Sequence, residues 1–258
     1  ASLHRRQKFM NLLNVFANKF LFKLIGTVFN YAPFKLIGSK DTSAIVNSIV
    51  ETDHLFSKWN PFYESLKWRN TWVLNGLNYL LGHYFSNLKV FTALDIGCGS
   101  NSILAQIAPL LVGRGGVFTF FDKIEKSVEA SVAKIVSHNI SGYTIVAEVD
   151  NKKVWSVIKQ VDYINAIGLV EYLSNETFEY LIMQIKLHLK HKGRVIISTT
   201  MSGHGIDRFL RIVYGIKFNY KSVEYINDVL KRNNLEVIGM RATESGFMYV
   251  WVLKHKDD

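Results

Sequence analysis

The chain has 258 residues, of which 48% are hydrophobic and 20% charged, with only 3 Pro, so it is globular and long enough to bury a full core. Its single cysteine, Cys98, excludes an internal disulfide framework, a cysteine-ligated zinc site and an iron–sulfur cluster, and suits a reducing, cytoplasmic setting. The formal net charge of +10 is concentrated at one end: residues 1–40 carry seven Lys/Arg and no acid. Such a segment favours an anionic partner, nucleic acid or a lipid surface, or serves as a solvated face that aids solubility.

In chain order, Phe9, Leu12, Leu13, Phe16, Phe20 and Leu24 fall on one helical face, with Gly26 as the stop. Lys19 and Lys23 interrupt the apolar run, so a secretory signal is not expected. The repeated pentapeptide F-K-L-I-G at 22–26 and 34–38 is too short to define a solenoid. Within 70–88, Val73, Leu77, Leu80, Leu81 and Tyr84 recur at helical spacing, predicting an amphipathic core helix and not a membrane span. Residues 1–89 thus read as a basic, helical N-terminal extension.

From Val90 onward short β-rich runs alternate with helical ones. Strands are predicted at V-F-T-A-L, G-V-F-T-F-F, Y-T-I-V-A-E-V, V-D-Y-I-N-A-I and R-V-I-I-S-T-T, with helices near 102–112, 125–139, 151–160 and 174–190. This alternation predicts a parallel sheet covered on both faces. A helix at 222–233 is followed by L-E-V-I-G-M-R, a loop containing Gly246, and F-M-Y-V-W-V-L, which reads as a closing antiparallel hairpin. Residues 90–258 therefore form one α/β domain with a Rossmann-like, seven-stranded, mostly parallel sheet.

The turn L-D-I-G-C-G-S-N-S follows the first strand, at the end where such sheets bind ligands. A phosphate loop would need a lysine after its last glycine, and a dinucleotide turn would need a third glycine where Ser102 stands. Asp95 would repel a pyrophosphate, so the expected ligand is positively charged or amine-bearing near the turn.

Here the chain resembles the class I S-adenosylmethionine-dependent methyltransferases. Asp95-Ile-Gly97-Cys98-Gly99 is similar to that family's first motif, and Asp122 follows Asp95 by 27 residues, a typical spacing. The resemblance implies S-adenosylmethionine as cofactor. It places the methionine half at Gly97, Cys98 and Gly99, the ribose hydroxyls on Asp122 with Lys123 beside it, and the adenine near Asp150 and Asn151. N-A-I-G-L, with Ala166, resembles the fourth-strand segment beside the reactive methyl. An upstream Arg69 is assigned to the cofactor carboxylate, for which a bidentate guanidinium is suited. Two departures stand out: Asn101 replaces a common third glycine, and Pro109 interrupts the first helix.

Methyl transfer from a sulfonium needs mainly positioning and desolvation, and a base only for an acceptor with a high-pKa proton. No metal is expected. Cys98 sits in the cofactor turn, which argues against covalent pyrimidine methylation. His204, Tyr172 and Glu171 are the candidates for catalysis, each with a plainer reading as a loop, packing or capping residue. Trp59, Phe62, Tyr63 and Trp68 form either a stacking lid or core. The methyl acceptor stays open between a small molecule or lipid and RNA. A partial likeness to the ribosomal-RNA methyltransferases of aminoglycoside resistance rests on the basic N-terminal third, Arg69 and Gly97-Cys98-Gly99-Ser100-Asn101. A non-catalytic RNA or membrane adaptor, or another transferase on the same sheet, are the alternatives. The corresponding locations are cytoplasmic, peripheral at a membrane surface, or ribosome-associated.

Overall fold

The computed structural model describes residues 61–111, 114–138, 140–203, 207, 210, 211 and 217–258. The predicted helix at 9–24, the basic residues 1–40, Trp59 and His204 lie outside them, as do the side chains of Phe62 and Tyr63. Seven strands build one sheet: β1 (Val90–Ile96), β2 (Gly115–Asp122), β3 (Ile140–Val146), β4 (Val161–Ala166), β5 (Leu189–Thr200), β6 (Leu235–Ala242) and β7 (Met248–His255). Their spatial order is β3-β2-β1-β4-β5-β7-β6. The first five strands run parallel, while β7 lies antiparallel to both β5 and β6. The mostly parallel sheet with a C-terminal hairpin that the sequence predicts is the one found.

The strand interiors explain this layout. All six residues of β4 are buried, as the continuous run of a doubly covered parallel strand requires. On one face Phe91, Phe118 and Phe120 pack with Val73 and Leu77 of helix α1 (Pro61–Tyr79). A π-helical turn, Leu80–Tyr84, extends α1, and Leu80 and Leu81 are buried there as the spacing predicts. Tyr84 instead stays 41% exposed, with the Arg194 guanidinium 4.0 Å above its ring. On the other face Leu94, Ile96, Phe121 and Trp251 meet two helices, α5 (Asn175–His188) and α6 (Val223–Arg232). Ser174 and Ser222 cap these helices by accepting from the Thr177 and Tyr225 N–H groups.

Several elements differ in extent from the sequence reading. Helix α2 (Ile103–Gln106) gives way to a 3₁₀ turn, Ala108–Leu111, because Pro109 lacks the N–H and its ring would meet the carbonyl of residue 105. Helix α3 (Glu125–Ala133) stops short of 139, and β3 ends at Val146, three residues before the predicted run does. Register sets that end: β3 pairs with β2 from Gly116↔Ile140 to Asp122↔Val146, so both strands finish together. Gly142 lies within this stretch, where a Cβ would come 2.9 Å from Ile135 Cδ1, so close helix packing also fixes the position. The fourth helix, α4 (Lys152–Trp155), is a single turn, anchored by Trp155 Nε1 donating to the Val149 carbonyl at 2.8 Å. No helix among the described residues is long and apolar enough to cross a membrane.

Candidate active site

The chain leaves β1 through two left-handed residues, Gly97 (φ 66°) and Gly99 (φ 57°), a conformation that a Cβ penalises. The N–H groups of Gly97 and Cys98 donate to the Phe121 carbonyl at 2.7 and 3.3 Å, pinning the turn against the end of β2. A Cβ on Gly97 would lie 3.1 to 3.3 Å from Leu169, so the leucine would have to shift, whereas Gly99 faces open space. The next residue along β2, Asp122, completes the turn. Its Oδ2 accepts from the Gly99 N–H and its Oδ1 from the Ile124 N–H, both at 2.9 Å. Each carboxylate oxygen keeps a further acceptor site. Two such sites side by side suit a pair of adjacent hydroxyls.

The sequence reading has Asp95 receive an amine; in the structure its carboxylate already accepts from two donors of the chain. It is 2% exposed, and its carboxylate accepts from the Ser102 hydroxyl and from Asn165 Nδ2, the latter at 2.8 Å. Tyr163 donates its hydroxyl to Asn165 Oδ1 at 2.9 Å, fixing the amide's orientation. Ser102 also caps α2 through the Ala105 N–H. Asp95 therefore ties the turn, α2 and β4 together. Burial pushes its carboxyl up to about 6, against the lowering by Ser102 and Asn165.

Across the turn, Arg69 of α1 is half-buried, with Nε and Nη2 donating to Asn70 Oδ1 at 3.1 and 3.0 Å. Its Nη1 lies 2.8 Å from where a Cβ on Gly168 would stand, and Gly168 has φ 71°, so only glycine admits the guanidinium here. Burial lowers the Arg69 pKa, while Glu171 opposes that shift. Glu171 is 4% exposed, and its Oε2 has no hydrogen-bond partner among the described residues. Burial raises its pKa, with Arg69 and Lys221 pulling the other way. Lys221 donates to the carbonyls of Val170, Leu173 and Asn219 at 3.1, 2.7 and 3.0 Å. Desolvation brings its ammonium down to about 8.

These groups open onto one cavity of about 680 Å³, within the size range of small-molecule sites. Arg69, Asp95, Gly97, Cys98, Gly99 and Asp122 line it, as do Lys123, Glu171 and Tyr172. Burial and the neighbouring Asp95 and Asp122 raise the Cys98 thiol's pKa far above its ordinary value, so it is no nucleophile. Two positions assigned to the adenine lie elsewhere: Asp150 is exposed in a turn, and Asn151 caps α4 through the Lys153 N–H at 3.2 Å. The early end of β3 is the cause, and Glu148 and Val149 line the cavity in their place. Ala166 is fully buried behind the wall that Asn165 and Ile167 present. Sequence reasoning included Asn165 only as the first residue of the N-A-I-G-L segment and gave it no role of its own, although an amide inside a central strand is a usable signal. Among the described residues no group of three His, Cys, Asp or Glu is arranged to hold a metal.

No family model matches the chain. A ubiquinone biosynthesis O-methyltransferase of Rickettsia akari is 24% identical over 123 residues, a stretch covering 46% of this chain and only 44% of that relative. Among solved structures, the N-methyltransferase NodS of Bradyrhizobium japonicum, in complex with S-adenosyl-L-homocysteine, superposes with a TM-score of 0.57 at 16% identity, covering 83% of this chain and 97% of its own. The magnesium protoporphyrin IX methyltransferase of Synechocystis, with S-adenosylmethionine bound, gives 0.56 at 14%, covering 84% and 99%. The motifs at Gly97–Gly99 and Asp122 thus sit in the architecture they imply, and the chain has the fold of the class I S-adenosylmethionine-dependent methyltransferases.

Proposed function

We propose that the protein is an S-adenosylmethionine-dependent methyltransferase, a transferase of class 2.1.1, acting on a small-molecule acceptor. The observation that carries this reading is Asp122, held by two backbone N–H groups at the mouth of the glycine turn with an acceptor site free on each oxygen. The cavity fits the cofactor by its chemistry. Asp122 takes the ribose hydroxyls, the Gly97–Gly99 backbone admits the methionine half, and Arg69 meets the carboxylate above Gly168. Glu148 and Val149 flank the adenine. The cofactor supplies a sulfonium methyl; the chain holds it, excludes water and orients the acceptor.

Relatives support a small acceptor: two of them are named for ubiquinone biosynthesis and for magnesium protoporphyrin IX. The RNA reading rests on the charge of residues 1–40 and a partial motif likeness at Arg69 and Gly97–Asn101, and no observation at the site favours it. A cytoplasmic location, supported by the single cysteine, and an anionic partner for residues 1–40, supported by their charge, belong to the same proposal. Calorimetric titration with S-adenosyl-L-homocysteine tests the core of it. The wild type binds, and Asp122→Ala loses about 1.5–3 kcal/mol of affinity, the scale of hydrogen bonds to a charged group. Absence of binding to the wild type overturns the assignment.

A further inference from the structure

Glu171 is a buried carboxylate with one oxygen that the described residues leave unpaired. Its oxygen Oε2 lacks a hydrogen-bond partner among the described residues, although the residue is 4% exposed and lines the cavity. An unpaired buried acceptor costs about 1–3 kcal/mol, more when charged, so such a group is retained for something it meets. The backbone around it is fixed from both sides: the Asn219 N–H donates to the Glu171 carbonyl at 2.7 Å, and Lys221 Nζ grips the carbonyls of Val170 and Leu173. Beside it Phe218 and Tyr172 meet edge to face at 5.3 Å and 90°, and both line the same cavity.

We propose that Glu171 is the acceptor-side residue of this site, taking the proton of a neutral aromatic hydroxyl that lies against Tyr172 and Phe218. This rests on the methyltransferase reading. A hydroxyl supplies the donor that Oε2 lacks, and the aromatic rims suit a flat ring. An ammonium is disfavoured, because the cations Arg69 and Lys221 act on Glu171 and Lys217 also lines the cavity. In the reaction the acceptor O–H bond breaks, with its proton to Oε2. The electron pair stays on oxygen and forms the bond to the methyl carbon, as the sulfonium C–S pair leaves with sulfur. Burial raises the Glu171 pKa from the ordinary carboxylate range, which strengthens it as a proton acceptor. Arg69, Lys221 and Tyr220 are the charged and titratable groups that act on it, and Tyr172 acts on Arg69.

The test uses the full chain saturated with S-adenosyl-L-homocysteine and two probes, 2-naphthol and its methyl ether, followed by fluorescence. The wild type is expected to prefer 2-naphthol by about tenfold, the equivalent of one good hydrogen bond. In Glu171→Gln the preference falls to about twofold or less, read at an S-adenosyl-L-homocysteine concentration that saturates the variant. In Glu171→Asp part of the preference returns. Acidification lowers the preference in the wild type to that of the Gln variant, whose small residual preference does not change with pH. If S-adenosyl-L-homocysteine binds but 2-naphthol is not preferred, or the preference survives in Glu171→Gln, the inference is overturned alone. Failure of S-adenosyl-L-homocysteine to bind the wild type overturns the functional reading beneath it.

Discussion

Asp95→Asn isolates the energetic cost of the acid at the heart of the site. Asp95 is buried, and its carboxyl is pushed from 3.8 to about 6. A folded-state pKa above the unfolded one means that the native state holds its proton more tightly. Stability from this group is therefore complete below about pH 4 and is lost as the pH rises through 6. A displacement of that size corresponds to about 3 kcal/mol over the whole titration. An asparagine stays neutral throughout, and its amide can still accept from Asn165 and donate to Ser102. Any fixed packing difference is independent of pH. Urea unfolding of both proteins at pH 4.5, 5.5, 6.5 and 7.5, read by tryptophan fluorescence, measures the difference directly. The variant should gain about 2 kcal/mol on the wild type across that range, since about a third of the loss already lies below pH 4.5. A difference constant to within about 0.5 kcal/mol would refute the argument that burial outweighs the two side-chain donors.

Ser102→Ala removes both the cap of α2 and a donor to Asp95; stability should fall by about 1 kcal/mol in chemical unfolding, and the Asp95 midpoint should move upward from about 6. Arg69→Lys keeps the charge but loses the fork, so S-adenosyl-L-homocysteine should bind about tenfold more weakly by calorimetry; unchanged affinity would make Arg69 structural only. Gly168→Ala places a Cβ 2.8 Å from Arg69 Nη1 at φ 71°. It should cost about 1–2 kcal/mol in stability and weaken cofactor binding in the same direction as Arg69→Lys.

Much of the frame was legible because it is written locally. Alternating strand and helix periods, the turn glycines and the acid closing β2 are each decided within a few residues, and the sheet order follows from them. What was not legible depends on distant pairing. Asp95 reads as a free anion until Asn165, 70 residues away, is brought to 2.8 Å. The end of β3 was misplaced because β-rich composition runs on to Val149, while pairing with β2 stops at Val146. That shift moved the adenine-side expectation from Asp150 and Asn151 to Glu148 and Val149. Lys221 carried no sequence signal at all: a lysine after an aromatic run reads as solvent-facing, yet it is 4% exposed and committed to three carbonyls.

The departure at Asn101 shows which part of the turn motif is obligatory. Glycine is needed where φ is positive, and among the described residues only Lys192 and Asn234 have positive φ without being glycine. Asn101 therefore lies in ordinary backbone space, and a third glycine would serve no conformational purpose there. Its side chain instead points outward, accepting from Lys134 Nζ at 3.1 Å, while the same ammonium reaches the Ser100 carbonyl at 2.9 Å. Ser131 adds a hydrogen bond to the Gly99 carbonyl at 3.1 Å, so α3 and the residue just beyond it hold the turn from outside. The inner face is left to backbone at Gly97 and Gly99 and to the carboxylates at the ends of β1 and β2. Substitution at Asn101 should then disturb an exposed contact with Lys134, worth little in water, and alter only the part of the cavity rim that Asn101 itself lines.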